Sequence, residues 1–414
     1  MSLREVRIVG VGSDLPGEPI SNEELLDYCN LVDEGEGEGK WTREKCLAWI
    51  NDRVGIEYRH SSRNVDPPGP VDRFEPYEHA RTSALAANAI RKAVATAGLQ
   101  VEDLDMVIVA TATPDFPIPS TATLVQERLG LAECAAVDIR SACCGALQGV
   151  ITAIQYLQTG YKRTIAVAGC DIGSVFGNLD KDSATYTRQD FVNAVMIGDG
   201  AGALVLRGFD RENEEAHGIE ILHFGMNSIG PGKQPGMWLP LGGSVHPATK
   251  EKLDQGLQFF KHDFKSVLEH GPVLFTRAME EALNGAKKSI SDISLFVPHQ
   301  ANAQIPQLAT KFGVPMERMF HNFERVGNTA NASTLICLDE IATENKLGEG
   351  ELVLVASAES TKWLYASILL RWTSLKGPSK VVVRQRDWFY RRWYSAFAFY
   401  AIARLVQFKA ALGL

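Results

Sequence analysis

A chain of 414 residues and 45.4 kDa exceeds one ordinary core, so one large domain or two closely joined ones are expected. With 45% hydrophobic and 22% charged residues it is neither disordered nor fibrous in composition. The net charge of −8 is uneven: from Lys376 onward the basic residues face a single acid, Asp387, so the body is more acidic than the total and nucleic acid is not its expected partner.

The start, MSLREVRIVGVGS, has no apolar run long enough for a signal peptide, and residues 6–11 read as a strand. Polar loops are expected at Asp33–Lys40, Asn64–Asp72 and Asp180–Asp190, the first a solvated run of glycines and acids. Runs rich in Val, Ile, Leu and Ala stand at Met106–Thr111, Thr164–Gly169, Leu295–Pro298 and Leu352–Ala356, with helical patterns between them. Strands that are apolar on both faces need helices on each side, which predicts an α/β layered fold. Seven cysteines, an odd number at irregular spacing, include the adjacent pair Cys143–Cys144 and no C-x-x-C metal signature. A reducing cytoplasm is therefore expected, with most thiols acting as small buried apolar groups. From Trp388 to Leu414 the chain has no glycine or proline before Gly413 and reads as a helix. Its uncharged stretch, Trp393–Ala403, is well short of the ~20 residues that span a bilayer. Three roles for this basic, aromatic tail stay open: packing on its own body or dimer mate, lying on a membrane surface through 388–414, or docking an acidic carrier protein.

A weak internal repeat runs through the body. DLDMVIVATATP from Asp103 resembles DISLFVPHQAN from Asp292, and RTIAVAGCDIG from Arg163 echoes ELVLVASAEST from Glu351, each pair about 190 residues apart. A duplication predicts that the polar ends of matching strands meet across a pseudo-two-fold axis, where open α/β sheets place ligands.

Three segments carry candidate chemistry. Asp138–Gly149, DIRSACCGALQG, reads as a strand, a sharp turn and small residues opening a helix, so Cys143 would lie beside backbone N–H groups and a positive helix end that favour thiolate. Val297–Ile305, VPHQANAQI, sets His299 at a strand end. Val326–Ser333, VGNTANAS, puts Asn328 behind a glycine at another strand-to-helix turn. Taken singly, the cysteine reads better as a buried structural thiol, the histidine as a structural one, and Gly-Asn as plain turn chemistry.

Together and in this order they resemble the β-ketoacyl-acyl carrier protein synthase III family, in the thiolase superfamily. The resemblance covers roughly residues 1–373 and includes Trp49-Ile50 with Arg53-Val54-Gly55-Ile56, Pro119-Ser120-Thr121, Gly198–Ala203, His299–Asn302 and Gly327–Thr329. It implies a duplicated α/β/α/β/α layered fold, with an N-terminal half over 1–205 bearing the nucleophile, a C-terminal half over 206–373 bearing the histidine and asparagine, and a 374–414 extension outside the family pattern. It implies Cys143 as the acylated nucleophile, with Cys144 in the variable position of Ala-Cys-x-Gly. His299 and Asn328 would be the pair that binds the carbonyl of the second thioester, two donors aimed at an enolate oxygen. Trp49 and Arg53 resemble residues at the mouth of the pantetheine tunnel, and Asn302 one that contacts the pantetheine arm. No permanently bound cofactor and no metal are implied. The substrates would arrive as thioesters of coenzyme A or an acyl carrier protein, and the assembly would be a homodimer.

The sequence departs from that pattern at Ser357–Tyr365, SAESTKWLY, where the family has a glycine-rich loop that closes on the site. An amide near Ser360–Lys362 is left to supply the oxyanion donor. The leading expectation is decarboxylative condensation of acyl-Cys143 with a malonyl- or β-ketoacyl-thioester in fatty-acid or polyketide-type biosynthesis. The alternatives are acyl transfer to an oxygen or nitrogen nucleophile, and a partner subunit without chemistry. Retention of Asn328 and of all three triad residues argues against both.

Overall fold

The structure is a computed structural model that describes residues 3–28, 42–62, 81–178 and 187–375. The loops expected at Asp33–Lys40 and Asn64–Asp72, the first part of Asp180–Asp190, and the tail from Trp388 lie outside these residues. Nine strands form one sheet: β1 (Glu5–Asp14), β2 (Met106–Ala110), β3 (Ala135–Ile139), β4 (Thr164–Asp171), β5 (Gly200–Phe209), β6 (Ile219–Ser228), β7 (Leu295–Pro298), β8 (Leu352–Glu359) and β9 (Leu364–Arg371). Every residue of β2, β4 and β8 is buried, as their apolar runs require.

The order across the sheet is β7-β8-β9-β6-β1-β5-β4-β2-β3. At its middle β1 and β6 join only through Arg7↔Glu220 and Ile8↔Ile219. Outward from this seam the two sides match. One runs β1-β5-β4-β2-β3 and the other β6-β9-β8-β7, and beyond β7 a lone parallel bridge, Phe296↔Met319, stands where β3 stands on the first side. Within each side the inner pairs are parallel, β2 with β3 and β4, and β7 with β8. The division drawn at residue 205 falls inside β5, which continues to Phe209.

Eight helices matter for the site and its frame: α1 (Arg43–Trp49), α2 (Thr82–Thr96), α3 (Thr121–Leu129), α4 (Gly145–Gln158), α5 (Arg188–Met196), α6 (Phe264–Gly285), α7 (Gln304–Lys311) and α8 (Ser333–Thr343). One outer core joins α2 and α3 to the first half of the sheet through Ile90, Val125, Val107 and Val205. Another joins α6 and α7 to the second half through Phe275, Ala309, Leu354 and Leu369. Between them α4 and α8 share a core, in which Val150, Ile154, Leu335 and Ile341 meet Ile108 and Val167 from one half and Val353 and Ile368 from the other. This is the α/β/α/β/α layering that the family resemblance implies. Each Leu, Ile or Val so buried contributes about 1.5–3 kcal/mol, and only small residues let the two middle helices approach at their starts. A Cβ on Gly145 would lie 2.4 Å from Asn331 Oδ1, and one on Gly169 2.3 Å from the Asn331 carbonyl oxygen. Among the described residues no helix is long and apolar enough to cross a membrane.

Candidate active site

Chain direction in β3 carries Ile139 to the middle of the molecule, where Ala142 takes φ +41°. This left-handed turn costs an alanine about 1–2 kcal/mol and reverses the chain sharply into the 3-10 turn Ala142–Cys144 and then α4. Cys143 is thereby half-buried, while Cys144 is fully buried with its Sγ 3.6 Å from the Leu364 carbonyl. The Cys143 carbonyl accepts a 2.7 Å hydrogen bond from Ser357 Oγ on β8, which ties the turn to the other half. The thiol does not follow the expectation of an easily formed thiolate. Burial pushes its pKa well above the ordinary cysteine value, and the negative charges of Glu359 and Asp171 push it further, against its own backbone amide.

His299 follows β7, and its N–H donates to the Ala356 carbonyl at 2.8 Å. Its Nδ1 lies 2.8 Å from Ser333 Oγ at the start of α8, and burial pulls the imidazole down to about 4, so the ring is neutral at physiological pH. Asn328 differs locally from the expected strand-to-helix turn. It comes after the short helical turn Phe323–Val326 and Gly327 at φ +72°, and pairs in parallel with Ile197. Its N–H donates to the Met196 carbonyl at 2.9 Å and its carbonyl accepts from Gly198 N–H at 3.0 Å. The side-chain Oδ1 accepts from Ala330 N–H at 3.0 Å, which turns Nδ2, the donor, away from that turn. The turns 142–144 and 330–332 pack on each other, so Cys143, His299 and Asn328 all gather around the starts of α4 and α8.

Two buried acids in this region were not singled out from the sequence. Asp171, at the end of β4, accepts at Oδ2 from Asn331 N–H at 3.0 Å and Asn331 Nδ2 at 2.7 Å, and at Oδ1 from Ala112 N–H at 2.8 Å. Glu359, at the end of β8, accepts from the N–H groups of Thr361 at 2.6 Å, Lys362 at 3.1 Å and Leu364 at 2.9 Å. For both, burial raises the carboxyl pKa against these hydrogen bonds. The signal existed in the repeat, which aligns the aspartate of AVAGCD with the glutamate of LVASAE. Glu359 also accounts for the glycine-free loop: its carboxylate stitches the backbone of 361–364, and Trp363 takes φ +66°. The amides of Thr361 and Lys362, two of the three considered for the oxyanion donor, are thereby already occupied.

Trp49, Arg53 and Asn302, the residues expected along the pantetheine tunnel, are joined by one chain of contacts. α1 ends at Trp49, half-buried with its ring 6.1 Å from that of Phe191 on α5, and passes into the π-helical turn Ile50–Val54, where Arg53 is exposed. The Val54 carbonyl accepts from Ala303 N–H at 2.9 Å, next to Asn302, whose Nδ2 is 4.0 Å from Met196 Sδ. Met196 therefore touches both Asn302 and the backbone of Asn328. Trp49 and Arg53 stand at the outer end of this chain of contacts and Asn328 at the inner end.

The family model for 3-oxoacyl-[acyl-carrier-protein] synthase III matches residues 137–230, and that for its C-terminal part residues 283–372. The chain is 32% identical over 373 residues to the β-ketoacyl-[acyl-carrier-protein] synthase III of Symbiobacterium thermophilum, an alignment covering 90% of this chain and 99% of that protein. Among solved structures, the 3-oxoacyl-(acyl carrier protein) synthase III of Pseudomonas aeruginosa superposes with a TM-score of 0.70 at 27% identity, covering 92% of this chain and 100% of that one. A tetronic acid condensing enzyme superposes with a TM-score of 0.72 at 26% identity, covering 88% and 99%. With its duplicated layered fold and its matches on both sides of the seam, the chain belongs to the β-ketoacyl-[acyl-carrier-protein] synthase III family of condensing enzymes.

Proposed function

We propose that the Cys143 thiol attacks the carbonyl carbon of an incoming acyl thioester and gives up its proton, which ends on the departing carrier sulfur, so that acyl-Cys143 forms and the carrier leaves as its free thiol. A malonyl- or β-ketoacyl-thioester then binds. For a malonyl group, loss of carbon dioxide leaves an enolate whose carbon attacks the acyl-Cys143 carbonyl and whose oxygen is held by His299 Nε2–H and Asn328 Nδ2–H. Cys143 departs as thiolate and regains a proton. The observation that carries this reading is the pair of donors gathered with the half-buried thiol: a histidine kept neutral by burial, and an asparagine whose Oδ1 is already engaged. Coenzyme A or an acyl carrier protein delivers both substrates along the route marked by Trp49, Arg53 and Asn302, with the Arg53 guanidinium suited to phosphate.

A homodimer in the cytoplasm is the assembly and setting we assign, with the halves divided between Phe209 and Ile219 rather than at 205. The basic tail is given no part in the chemistry, so truncation after Lys376 is expected to leave acylation intact. Incubation with a panel of acyl-coenzyme A thioesters followed by peptide mass spectrometry tests the reading. The expected result is one acyl mass on the Cys143 peptide, released when malonyl thioester is added. Acylation elsewhere, or none across the panel, would overturn it.

A further inference from the structure

A neutral imidazole offers one donor and one acceptor, and a histidine asked to hold an enolate oxygen must carry its hydrogen on the nitrogen that faces the substrate. In His299 the two nitrogens are not equivalent. Nδ1 lies 2.8 Å from Ser333 Oγ, both residues are buried, and Nε2 has no protein partner among the described residues. Two arrangements satisfy that distance. If Nδ1–H donates to the serine oxygen, the serine hydroxyl hydrogen needs another acceptor, and Ser333 Oγ makes no other hydrogen bond among the described residues. A buried hydroxyl left without an acceptor costs about 1–3 kcal/mol. If the hydroxyl donates to the Nδ1 lone pair, both groups are satisfied and the hydrogen resides on Nε2. The helix start reinforces this choice. Ser333 is the first residue of α8, so the positive helix end lies on the Nδ1 side of the ring and favours a lone pair there over an N–H.

We propose that Ser333 is a positioning residue that fixes His299 in its Nε2–H tautomer and so makes it a donor toward the enolate. This rests on the reading of His299 as an enolate-holding donor and adds how that donor is made. Serine at this place donates a hydrogen bond to a buried acceptor, which an alanine cannot do. In its absence the ring is free to place a lone pair on Nε2, where it would face the enolate oxygen with like charge.

The test reads the tautomer and the chemistry separately. Nitrogen NMR of full-length protein labelled with 15N-histidine, with the His299 signals identified by their loss in His299→Ala, reports which nitrogen carries hydrogen. In the native protein Nε2 is expected to be protonated. In Ser333→Ala the signal is expected to move toward a mixture of tautomers, with condensation slowed about tenfold and acyl loading of Cys143 unchanged. That loss is smaller than the ~100- to 1000-fold of removing such a donor altogether. Ser333→Thr, which keeps the hydroxyl, is expected to restore both. An Nδ1–H tautomer in the native protein, or a tautomer unmoved by Ser333→Ala, overturns the proposal whatever the rates. A tautomer that moves while condensation keeps its native rate overturns it as well. Failure of the underlying reading is distinct: His299→Ala would then condense normally.

Discussion

Between Ser141 and Gly145, and again between Thr329 and Ser333, the chain makes nearly the same turn. An alanine takes a left-handed φ, +41° at Ala142 and +46° at Ala330; a 3-10 turn follows over 142–144 and 330–332; then a central helix begins, α4 or α8. The side chains make opposite use of it. At the second position one turn carries Cys143, half-exposed and answerable to the charge of Glu359, and the other carries Asn331, 1% exposed, with its N–H and Nδ2 both given to Asp171. At the fourth position Gly145 makes room for Asn331, whereas Ser333 reaches His299. The duplicated frame has thus been divided. In the proposed chemistry one turn presents the reactive atom, while its counterpart binds Asp171 of the first half and reaches the histidine. The acids follow the same exchange, since each half ends a buried strand with a carboxyl that acts on the turn of the other half.

The largest expected effect breaks this asymmetry at its centre. Cys143→Ala should abolish acyl labelling by mass spectrometry, and Cys144→Ala should retain it, because Cys144 is wholly buried against Leu364. Adding Asn331→Cys to the Cys143→Ala variant should not restore labelling, since a thiol there would be shut from the site. Labelling at either Cys144 or position 331 would move the nucleophile and overturn the division of roles.

Next in size is the clamp. Asp171→Asn replaces one carboxylate oxygen by an NH2 group that can only donate, and because Oδ2 accepts from Asn331 and Oδ1 from the N–H groups of Ala112 and Thr113, either orientation of the amide sets a donor against a donor. The expected loss is about 2–4 kcal/mol in a denaturant titration. Asn331→Ala, which removes the side-chain half of the interaction, should cost less. Equal stability of all three proteins would show that the second turn is not scaffold.

Much of this frame was legible in the sequence, and the reason is periodicity. The buried strands β2, β4, β7 and β8 are unbroken apolar runs, and the repeat between them set the two halves. β6, IEILHFGMNS, was not singled out, because it is only partly buried and mixes polar with apolar residues. Cys143, His299 and Asn328 emerged because three rare segments occur together in one order. Asp171, Glu359 and Ser333 did not, since an acid after a strand or a serine before a helix is ordinary until tertiary packing removes its water. The thiolate expectation failed for the same reason. A helix start is visible in sequence, but the burial and the two acids that oppose it are assembled from segments far apart in the chain.

Glu359 offers a graded test. Its negative charge is the largest charge effect holding the Cys143 thiol up, so Glu359→Gln should lower that pKa. Below its pKa the thiolate fraction rises as the pKa falls, so iodoacetamide alkylation of Cys143 near neutral pH should speed up about three- to tenfold. Alkylation of the native protein should itself climb steadily from pH 7 to 9, with no plateau. A plateau below pH 8 would mean that the helix end prevails over burial.

The smallest expected effect concerns the backbone alone, and so compares the two turns without their chemistry. Ala142 and Ala330 both pay the left-handed penalty of an L-residue, about 1–2 kcal/mol, which glycine escapes. Glycine in turn gives the unfolded chain more freedom, which offsets about 0.5–1 kcal/mol of the relief. Ala142→Gly and Ala330→Gly should therefore each stabilise the protein by about 0.5 kcal/mol in denaturant titrations. Ala142 is more deeply buried than Ala330, so it also loses more apolar contact with its methyl group, and its gain should be the lesser of the two. The functional readouts should separate where the stabilities do not. Extra backbone freedom at 142 loosens the thiol directly and should slow acyl loading, whereas freedom at 330 acts next to Asn328, whose Oδ1 accepts from that residue's N–H, and should slow condensation. If both variants slow the same step, the two turns do not serve separate half-reactions.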